Sequence, residues 1–383
     1  MSRGNGASIC VEIREGRDGV LPDVKDAWER CLADAPGHQK LFGYEWYAAW
    51  MRHLGSSGPW TGDSRVLMAY DGKGTLRGIL PLAKRHTFHI PFWCLAGYYQ
   101  PVRGFVCHEA VHTEVCAALA QALLKTQGWF ELFRFGPTDA AFPERASLLQ
   151  ELSGRCRRLV RFNNNPTIIA YNIPGSADEY REMVQEHSSM KRIRSYERRM
   201  QREGEAEVRH YSNPQGEDLR AMLEACGVIE RKSWLATSKS GQPRYMSKES
   251  VQFWEHVCQR QLGPQGQLDA WLVYFNKQPI AFRFALTSGT TRYLIANQYD
   301  EEFAQYRAGW ILYLRDLENC AERGIQAIDM GSGDAHYKSR WGGVEGAEGV
   351  DFLILPPGPV GVLAARLMSL EPIYERARKK LMS

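Results

Sequence analysis

The chain has 383 residues, of which 44% are hydrophobic and 24% are charged, a composition that argues against a disordered protein. At roughly 150 residues per domain, this length predicts two domains. The net charge of +4 is too small to indicate a nucleic-acid-binding protein by itself.

The cysteines bear on disulfide and metal-binding proteins, and the uncharged segments bear on secreted and membrane proteins. The nine cysteines form no CxxC pair and no Cys/His cluster with zinc spacing, so we expect free thiols and no metal site. Residues 1–19 lack the apolar run of a secretory signal. The uncharged stretches His86–Val102 and Phe352–Ala365 fall short of the ~20 apolar residues that a membrane span needs. We therefore expect a cytoplasmic protein without a membrane span.

The N-terminal half predicts strands and helices in alternation. Two apolar runs, Arg65–Tyr70 and Leu76–Pro81, flank the turn residues Asp71–Gly74, a pattern typical of a β-hairpin. Apolar residues at helical spacing predict the helices, and Gly128 ends the last of them. The other predicted elements are strand Ser8–Glu15, helices Val24–Ala33, Glu45–His53 and Val111–Thr126, and strand Trp129–Phe135.

The C-terminal half repeats this order. Leu268–Phe275 and Ile280–Leu286 flank the turn Asn276–Pro279 as a second hairpin. The elements predicted after it are strand Arg292–Tyr299, helix Gly309–Arg323 and strand Ile325–Met330. A repeated order of hairpin, strand, helix and strand indicates an internal duplication. Strands that alternate with helices predict an α/β fold in which each half has a mixed β-sheet flanked by helices.

These patterns divide the chain into residues 1–170, residues 171–355 and a helical tail, residues 356–383. The tail contains an amphipathic, basic stretch, Val360–Met382, with apolar residues at Leu363, Leu367, Leu370 and Ile373. Because this apolar face is narrow, we expect a helix that docks on the body of the protein rather than a membrane anchor.

The segment Met190–Arg202 carries the strongest local charge. At 100° per residue one side of a helix collects Met190, Ile193, Tyr196 and Met200, and the other collects Lys191, Arg194, Arg198 and Arg202. Glu197 is the single acidic residue in the segment. The positive side predicts either a solvated helix face or a site for phosphate groups or an acidic partner.

A second candidate for phosphate binding lies at Arg307 and Gly309, where the predicted helix Gly309–Arg323 begins. A glycine at a helix N terminus lets an anion approach the free backbone N–H groups. An ordinary N-cap would use the same residue, so both interpretations stay open at this point.

Polar residues follow the strand Ile325–Met330 directly. Asp334, His336, Tyr337 and Lys338 come after Gly331-Ser-Gly333, at the carboxyl end of a strand, where open α/β sheets bind ligands. A carboxylate, a phenol and an ammonium could act as general base, general acid and charge stabiliser. Alternatively, Asp334 caps a turn and Lys338 lies on the surface. His336 has no partner at a catalytic spacing, so we do not expect it to be catalytic. The chain contains neither a GxSxG elbow nor a P-loop, and the absence of these motifs argues against hydrolases and kinases.

Several segments together resemble one family. They are LFGYEWYAAW (Leu41–Trp50), GILPLAKR (Gly78–Arg85), SSMKRIRSYERRMQREG (Ser188–Gly204), ERKSW (Glu230–Trp234) and, most specifically, IDMGSGDAHYKSRWG (Ile328–Gly342). This order resembles the CelD/BcsL-like branch of the GNAT acyltransferase superfamily, which is similar to the tandem-GNAT FemABX aminoacyl transferases. The resemblance implies two GNAT-like domains, transfer of an acyl group to an amine of a small molecule or peptide, and an active cleft lined by Asp334, Tyr337 and Lys338.

The acyl donor stays open at this point. The family's Ser-Pro-Gly is Arg307-Ala-Gly309 here, and Gln305 is one residue too far from Gly309 to match the pyrophosphate signature Q/R-x-x-G-x-G/A. The leading hypothesis is acyl-CoA as a donor substrate, with no permanently bound cofactor. Its binding residues would be Lys191, Arg194, Arg198, Arg307 and Gly309. The alternatives are an aminoacyl-tRNA or acyl-carrier-protein donor, and a degenerate GNAT module that only binds a partner.

Overall fold

The structure is a computed structural model. It describes residues 8–16, 21–57, 60–87, 90–97, 104–139, 142–171, 173, 175–176, 178–179, 182, 192–236, 245, 247–259, 266–333 and 337–367. The strands are β1 (Cys10–Gly16), β2 (Trp60–Tyr70), β3 (Leu76–Thr87), β4 (Ile90–Leu95), β5 (Val106–Cys107), β6 (Leu132–Asp139), β7 (Leu159–Tyr171), β8 (Ala206–Ser212), β9 (Gly266–Phe275), β10 (Gln278–Ser288), β11 (Thr291–Tyr299), β12 (Ala327–Ser332) and β13 (Gly343–Ile354).

The α-helices alternate with these strands. They are α1 (Lys25–Ala33), α2 (Tyr44–His53), α3 (His112–Thr126), α4 (Pro143–Arg155), α5 (Ile193–Glu203), α6 (Gly216–Lys232), α7 (Lys248–Gln259), α8 (Ala308–Glu322), α9 (Tyr337–Arg340) and α10 (residues 359–367). A 3₁₀-helix, Glu301–Tyr306, precedes α8.

The chain forms two compact units. The first comprises Met1–Tyr98, Arg103–Asn165 and Ala347–Ser383, and the second comprises Tyr99–Val102 and Pro166–Gly346. The sequence placed the first boundary at residue 170, five residues beyond Asn165. The described part of the predicted tail, residues 356–367, belongs to the first unit.

The first unit has a mixed sheet in the order β1-β2-β3-β4-β6-β13, with β5 paired to β3. Strands β4 and β6 are parallel, and the other described pairs in this sheet are antiparallel. The predicted hairpin is confirmed: Gly74 N donates to Asp71 O, and Asp71 Oδ1 accepts from the amides of Lys73 and Thr75. Helix α3 buries one apolar stripe in this core, consisting of Val115, Cys116, Leu119, Ala120 and Leu123.

The second unit has a mixed sheet in the order β7-β12-β11-β10-β9-β8. Strands β11 and β12 are parallel, and the other described pairs are antiparallel. Its hairpin turn is shorter than predicted, because Asn276 and Lys277 both adopt left-handed backbone angles and form a two-residue connection between β9 and β10. The core includes Ile311, Leu312 and Leu317 of α8, packed with residues of β9 and β10 such as Val273 and Ile280.

Each unit therefore contains a hairpin followed by a strand–helix–strand segment with parallel strands. These segments are β4-α3-β6 in the first unit and β11-α8-β12 in the second. A helix between parallel strands is the usual crossover connection of α/β proteins. The predicted α/β class, with a mixed, helix-flanked sheet in each half, is confirmed.

The segment Trp129–Phe135 differs from the prediction of a continuous strand. Residues 129 and 130 lie in a turn, because Glu131 Oε2 accepts a hydrogen bond from Gly128 N at 3.0 Å and Glu131 N donates back to Gly128 O. Strand β6 begins at Leu132, and Trp129 and Phe130 are left 74% and 82% exposed.

The cysteines are free thiols, as predicted. None of the nine is disulfide-bonded, and all except Cys10 are buried. Burial raises the pKa of the Cys31 and Cys258 thiols to about 12. Among the described residues, every helix is too short or too polar to cross a bilayer.

Candidate active site

The parallel strands β11 and β12 separate soon after they meet. Their register covers three pairs, from Thr291 opposite Ala327 to Tyr293 opposite Asp329. Within the described part of the chain, the rest of β11 pairs with β10 and has no register partner in β12. The pairing of β12 with β7 is also irregular between Asp329 and Ser332. The two strands therefore diverge at their carboxyl ends, the edge where α/β sheets bind their substrates.

The N terminus of α8 follows β11 and the 3₁₀-helix. Arg307 takes a left-handed conformation (φ 51°), and its carbonyl accepts the Trp310 amide at 2.8 Å. No side chain in the described chain caps this helix. Among the described residues the backbone N–H groups of Ala308 and Gly309 are thus available to an anion, at the positive end of the helix dipole.

Gly309 leaves space in front of these N–H groups. A β-carbon at Gly309 would contact a single described group, Asn297 Oδ1, at 3.7 Å. That oxygen is buried and has no hydrogen-bond partner among the described residues. The sequence singled out Arg307 and Gly309, and Asn297 was missed, because nothing in the sequence marks a residue of β11 that lies beside α8.

A lysine holds the glycine loop, the residues Gly331–Gly333 at the end of β12. Asp329 Oδ1 accepts a hydrogen bond from Gly331 N at 2.7 Å, and Gly331 and Gly333 have φ angles of 76° and 77°. Lys338 is 6% exposed, and its Nζ donates to Gly331 O at 3.2 Å and to Gly333 O at 2.7 Å. Lys338 is thus not a surface residue, and its described bonds fix the shape of the glycine loop.

Other predicted catalytic residues fall outside the described part of the chain. Asp334 and His336 lie outside the described residues, and the side chain of Tyr337 does so too, although its backbone begins α9. Their proposed roles therefore stay predictions. In the described residues no group of three or more His, Cys, Asp or Glu side chains could hold a metal ion.

Helix α5 has the two faces that its sequence predicts. Ile193 and Met200 are buried, whereas Arg194, Arg198 and Arg202 are exposed. The acidic residue of this helix, Glu197, is engaged by Arg315 of α8 at 2.8 Å, so it does not neutralise the arginine face. Lys191, also predicted to bind the donor, lies outside the described residues.

A hydrogen bond joins α5 to the segment that precedes α8. The Tyr306 hydroxyl donates to Glu203 Oε2 at 2.7 Å, and this bond, together with Arg199, holds the pKa of Glu203 below its usual range. The C-terminal end of α5 therefore lies beside the residue before Arg307, next to the open helix N terminus.

Buried charges that sequence reasoning missed attach α8 to the sheet. Asp316 of α8 pairs with Arg283 of β10 and Arg292 of β11, and Arg292 Nη2 lies 2.8 Å from Asp269 Oδ2 of β9. All four side chains are fully buried. The available signal was a charge inside an apolar run, such as Arg283 within Ile280–Leu286.

The part of the chain that holds this site matches a known family. Residues 187–339 match the acetyltransferase (GNAT) domain family, a region that includes α5, α8, β12 and the glycine loop. No curated protein matches the chain in sequence.

The whole chain is similar in structure to several solved proteins. FemX aligns with a TM-score of 0.55 and 12% identity, over 89% of this chain and 97% of FemX. The C-terminal domain of a putative lysylphosphatidylglycerol synthetase from Agrobacterium fabrum aligns with a TM-score of 0.50 and 8% identity, over 91% and 96%. A tandem GNAT protein from the clavulanic acid biosynthesis pathway aligns with a TM-score of 0.49 and 9% identity, over 91% and 99%. At these identities the likeness concerns the fold.

Proposed function

Because this chain has a GNAT-type acyltransferase fold, with a GNAT acetyltransferase domain at residues 187–339, we propose that it transfers an acyl group from acyl-CoA to an amine. The observation that carries this proposal is the separation of β11 and β12 beside the uncapped N terminus of α8. This arrangement offers an acyl thioester a backbone-lined slot and offers its diphosphate a positive helix end.

The donor would bind mainly through backbone groups and arginines. The diphosphate would accept hydrogen bonds from the first N–H groups of α8, where Gly309 leaves room for it. Arg307, Arg194 and Arg198 are exposed and would supply positive charge to the remaining phosphate oxygens. The acyl arm would extend between the ends of β11 and β12.

The transfer would proceed by direct attack without an acyl-enzyme. The neutral amine attacks the thioester carbonyl carbon, a C–N bond forms, and the C–S bond breaks as the tetrahedral intermediate collapses. Asp334, directly or through water, takes the proton of the amine, and Tyr337 gives a proton to the departing CoA sulfur. Because Lys338 Nζ is engaged by two loop carbonyls, we assign oxyanion stabilisation to backbone N–H groups and a positioning role to Lys338.

Calorimetric titration with CoA, acetyl-CoA and a longer acyl-CoA tests the donor. We expect micromolar binding that strengthens with one acyl chain. Asp334→Asn should keep this affinity and lower kcat by about 10²–10⁴-fold, the range for loss of a general base. Absence of binding to any of the three ligands would contradict acyl-CoA as the donor. Full turnover by Asp334→Asn would contradict its role as the base.

The arginine face of α5 favours a second candidate, a polyanionic donor such as aminoacyl-tRNA. Arg194, Arg198 and Arg202 are exposed on one side, with Glu197 already paired to Arg315. Phosphate-backbone binding weakens steeply with salt, by roughly one power of the salt concentration per neutralised phosphate. Tight tRNA binding whose logarithm falls by about three per tenfold rise in salt concentration would support this donor, particularly if acyl-CoA does not bind. Arg198→Ala should lower both the affinity and this slope.

A further inference from the structure

The first unit exposes two adjacent aromatic side chains. Trp129 and Phe130 occupy the turn between α3 and β6, and the two hydrogen bonds between Gly128 and Glu131 fix this turn. The apolar area of these two aromatic rings therefore stays in contact with water in the folded protein.

Helix α10 exposes its large apolar residues and packs through its small ones. Gly361 and Ala365 are buried, and a β-carbon at Gly361 would overlap the Pro356 carbonyl oxygen. On another side, Val360, Leu363 and Leu367 lie at helical spacing and are 80%, 59% and 60% exposed. The sequence predicted a helix docked on the body, with Leu363 and Leu367 among its apolar residues. The described part of the helix packs through Ala365, and Leu363 and Leu367 face solvent.

An arginine-rich cleft joins these two apolar features. It has a volume of about 530 Å³, and its lining includes Gly358 and Leu363 together with four arginines, Arg155, Arg157, Arg158 and Arg366. Gly358 also borders the aromatic turn, because a β-carbon there would lie 3.6 Å from Trp129 Cζ3. The aromatic turn, the cleft and α10 thus form one continuous surface, called here the aromatic–arginine surface.

The described lining of this cleft carries four arginines and no carboxylate. Arg155 pairs with Glu151, and Arg158 donates to two neutral oxygens, Gln127 Oε1 and Leu355 O. Arg157 and Arg366 are exposed. The described surface therefore combines arginines with exposed aromatic and aliphatic side chains.

We propose that the aromatic–arginine surface binds the surface of an anionic phospholipid membrane. Tryptophan, phenylalanine and leucine side chains insert at the boundary between headgroups and acyl chains, and arginines bind the headgroup phosphates around them. A nucleic acid would match the arginines but would leave the apolar side of α10 in water. This surface belongs to the first unit, so the proposal is independent of the acyl donor.

Vesicle flotation of the full chain tests the proposal. We expect binding to phosphatidylcholine vesicles that contain phosphatidylglycerol and little binding to pure phosphatidylcholine. Arg157→Ala with Arg366→Ala should weaken binding roughly 25-fold, about fivefold for each arginine. Trp129→Ala with Phe130→Ala should weaken it about tenfold or more, also at salt concentrations that screen the arginines.

Matched controls test whether the loss of any exposed arginine or any exposed apolar side chain weakens vesicle binding. Arg30→Ala, at an exposed arginine of α1, and Val208→Ser, at an exposed apolar residue of β8, should bind vesicles like the wild type. Because all the substituted side chains are exposed, we expect every variant to fold, and thermal melting checks this. Lack of wild-type flotation, or wild-type flotation by both double variants, would overturn the proposal. Binding to single-stranded RNA without vesicle binding would overturn it in favour of a nucleic-acid surface.

Discussion

Asp316 on α8 and Arg283 on β10 form an ion pair with 2.5 Å between Oδ2 and Nε, and both side chains are fully buried. Arg292 on β11 donates to the other oxygen of the same carboxylate. One carboxylate of α8 thus binds two strands of the sheet. This arrangement fixes the helix whose N terminus lies beside the separated strand ends.

Asp316→Asn should destabilise the protein strongly. The substitution keeps the side-chain volume but leaves two buried guanidinium groups with too little negative charge, a loss of about 3–5 kcal/mol when one partner of a buried pair is removed. Urea unfolding at neutral pH measures this loss. Glu322→Gln, at an exposed carboxylate of the same helix, should change the free energy of unfolding by less than about 0.5 kcal/mol. A change below about 1 kcal/mol for Asp316→Asn would contradict the role given to this pair.

Protonation of Asp269 should lower the free energy of unfolding at acid pH. Burial by itself would raise its pKa, but the hydrogen bond from His210 and the charges of Arg292 and Arg323 outweigh burial and lower the pKa of Asp269 below its usual value. The unfolded chain then binds this proton more tightly than the folded chain. The stabilisation is complete above the ordinary Asp pKa of about 3.9 and is lost as the pH falls through the lower folded pKa.

Urea unfolding between about pH 7 and about pH 3 measures this dependence, and Asp269→Asn should flatten part of it. Asp26→Asn, at an exposed carboxylate of α1, is the control and should leave the slope close to that of the wild type. An identical acid slope for Asp269→Asn and the wild type would show that this carboxylate does not contribute.

Gly309→Ala should separate stability from donor binding. Alanine favours a helix by about 1 kcal/mol over glycine, and the added β-carbon would make an ordinary contact with Asn297 Oδ1, so we expect an equal or higher melting temperature. The same methyl group would occupy the space in front of the α8 N–H groups and should weaken acyl-CoA binding at least about tenfold.

Gly154→Ala provides the matched control for that experiment. Gly154 lies in α4, and a β-carbon there would meet no atom within 4 Å. This variant should gain stability without any change in the dissociation constant for the donor. Unchanged acyl-CoA affinity in Gly309→Ala would show that the diphosphate does not bind at the α8 N terminus.

Lys338→Met should loosen the glycine loop. The substitution removes the Nζ bonds to Gly331 O and Gly333 O, so amide hydrogen exchange in residues 331–333 should accelerate. With the donor that calorimetry identifies, kcat should fall by about 10²-fold, because the loop no longer holds its neighbours in place, while donor affinity is kept. Arg340→Met, at an exposed residue of α9, should alter neither quantity. Normal exchange in Lys338→Met would contradict the positioning role.

Local periodicity and turn chemistry were enough to predict several features of this protein. The hairpin around Asp71–Gly74, the repeated order of elements and the two faces of α5 could be predicted, because strand and helix geometry alone decide which residues share a side. The position of Gly309 at a predicted helix N terminus and the GNAT resemblance at Lys338 pointed to these two residues without their contacts.

Long-range packing decides which charges meet and which apolar faces are covered, and the sequence did not predict either. Asp269, Arg283, Arg292 and Asp316 come from three strands and one helix, and no spacing rule connects them. The exposure of Trp129 and Leu363 likewise depends on what packs nearby: Glu131 closes the turn that holds Trp129, and α10 packs through Ala365, which leaves Leu363 in solvent. Periodicity shows that a helix or strand has an apolar side, and only the folded chain shows whether the protein itself covers it.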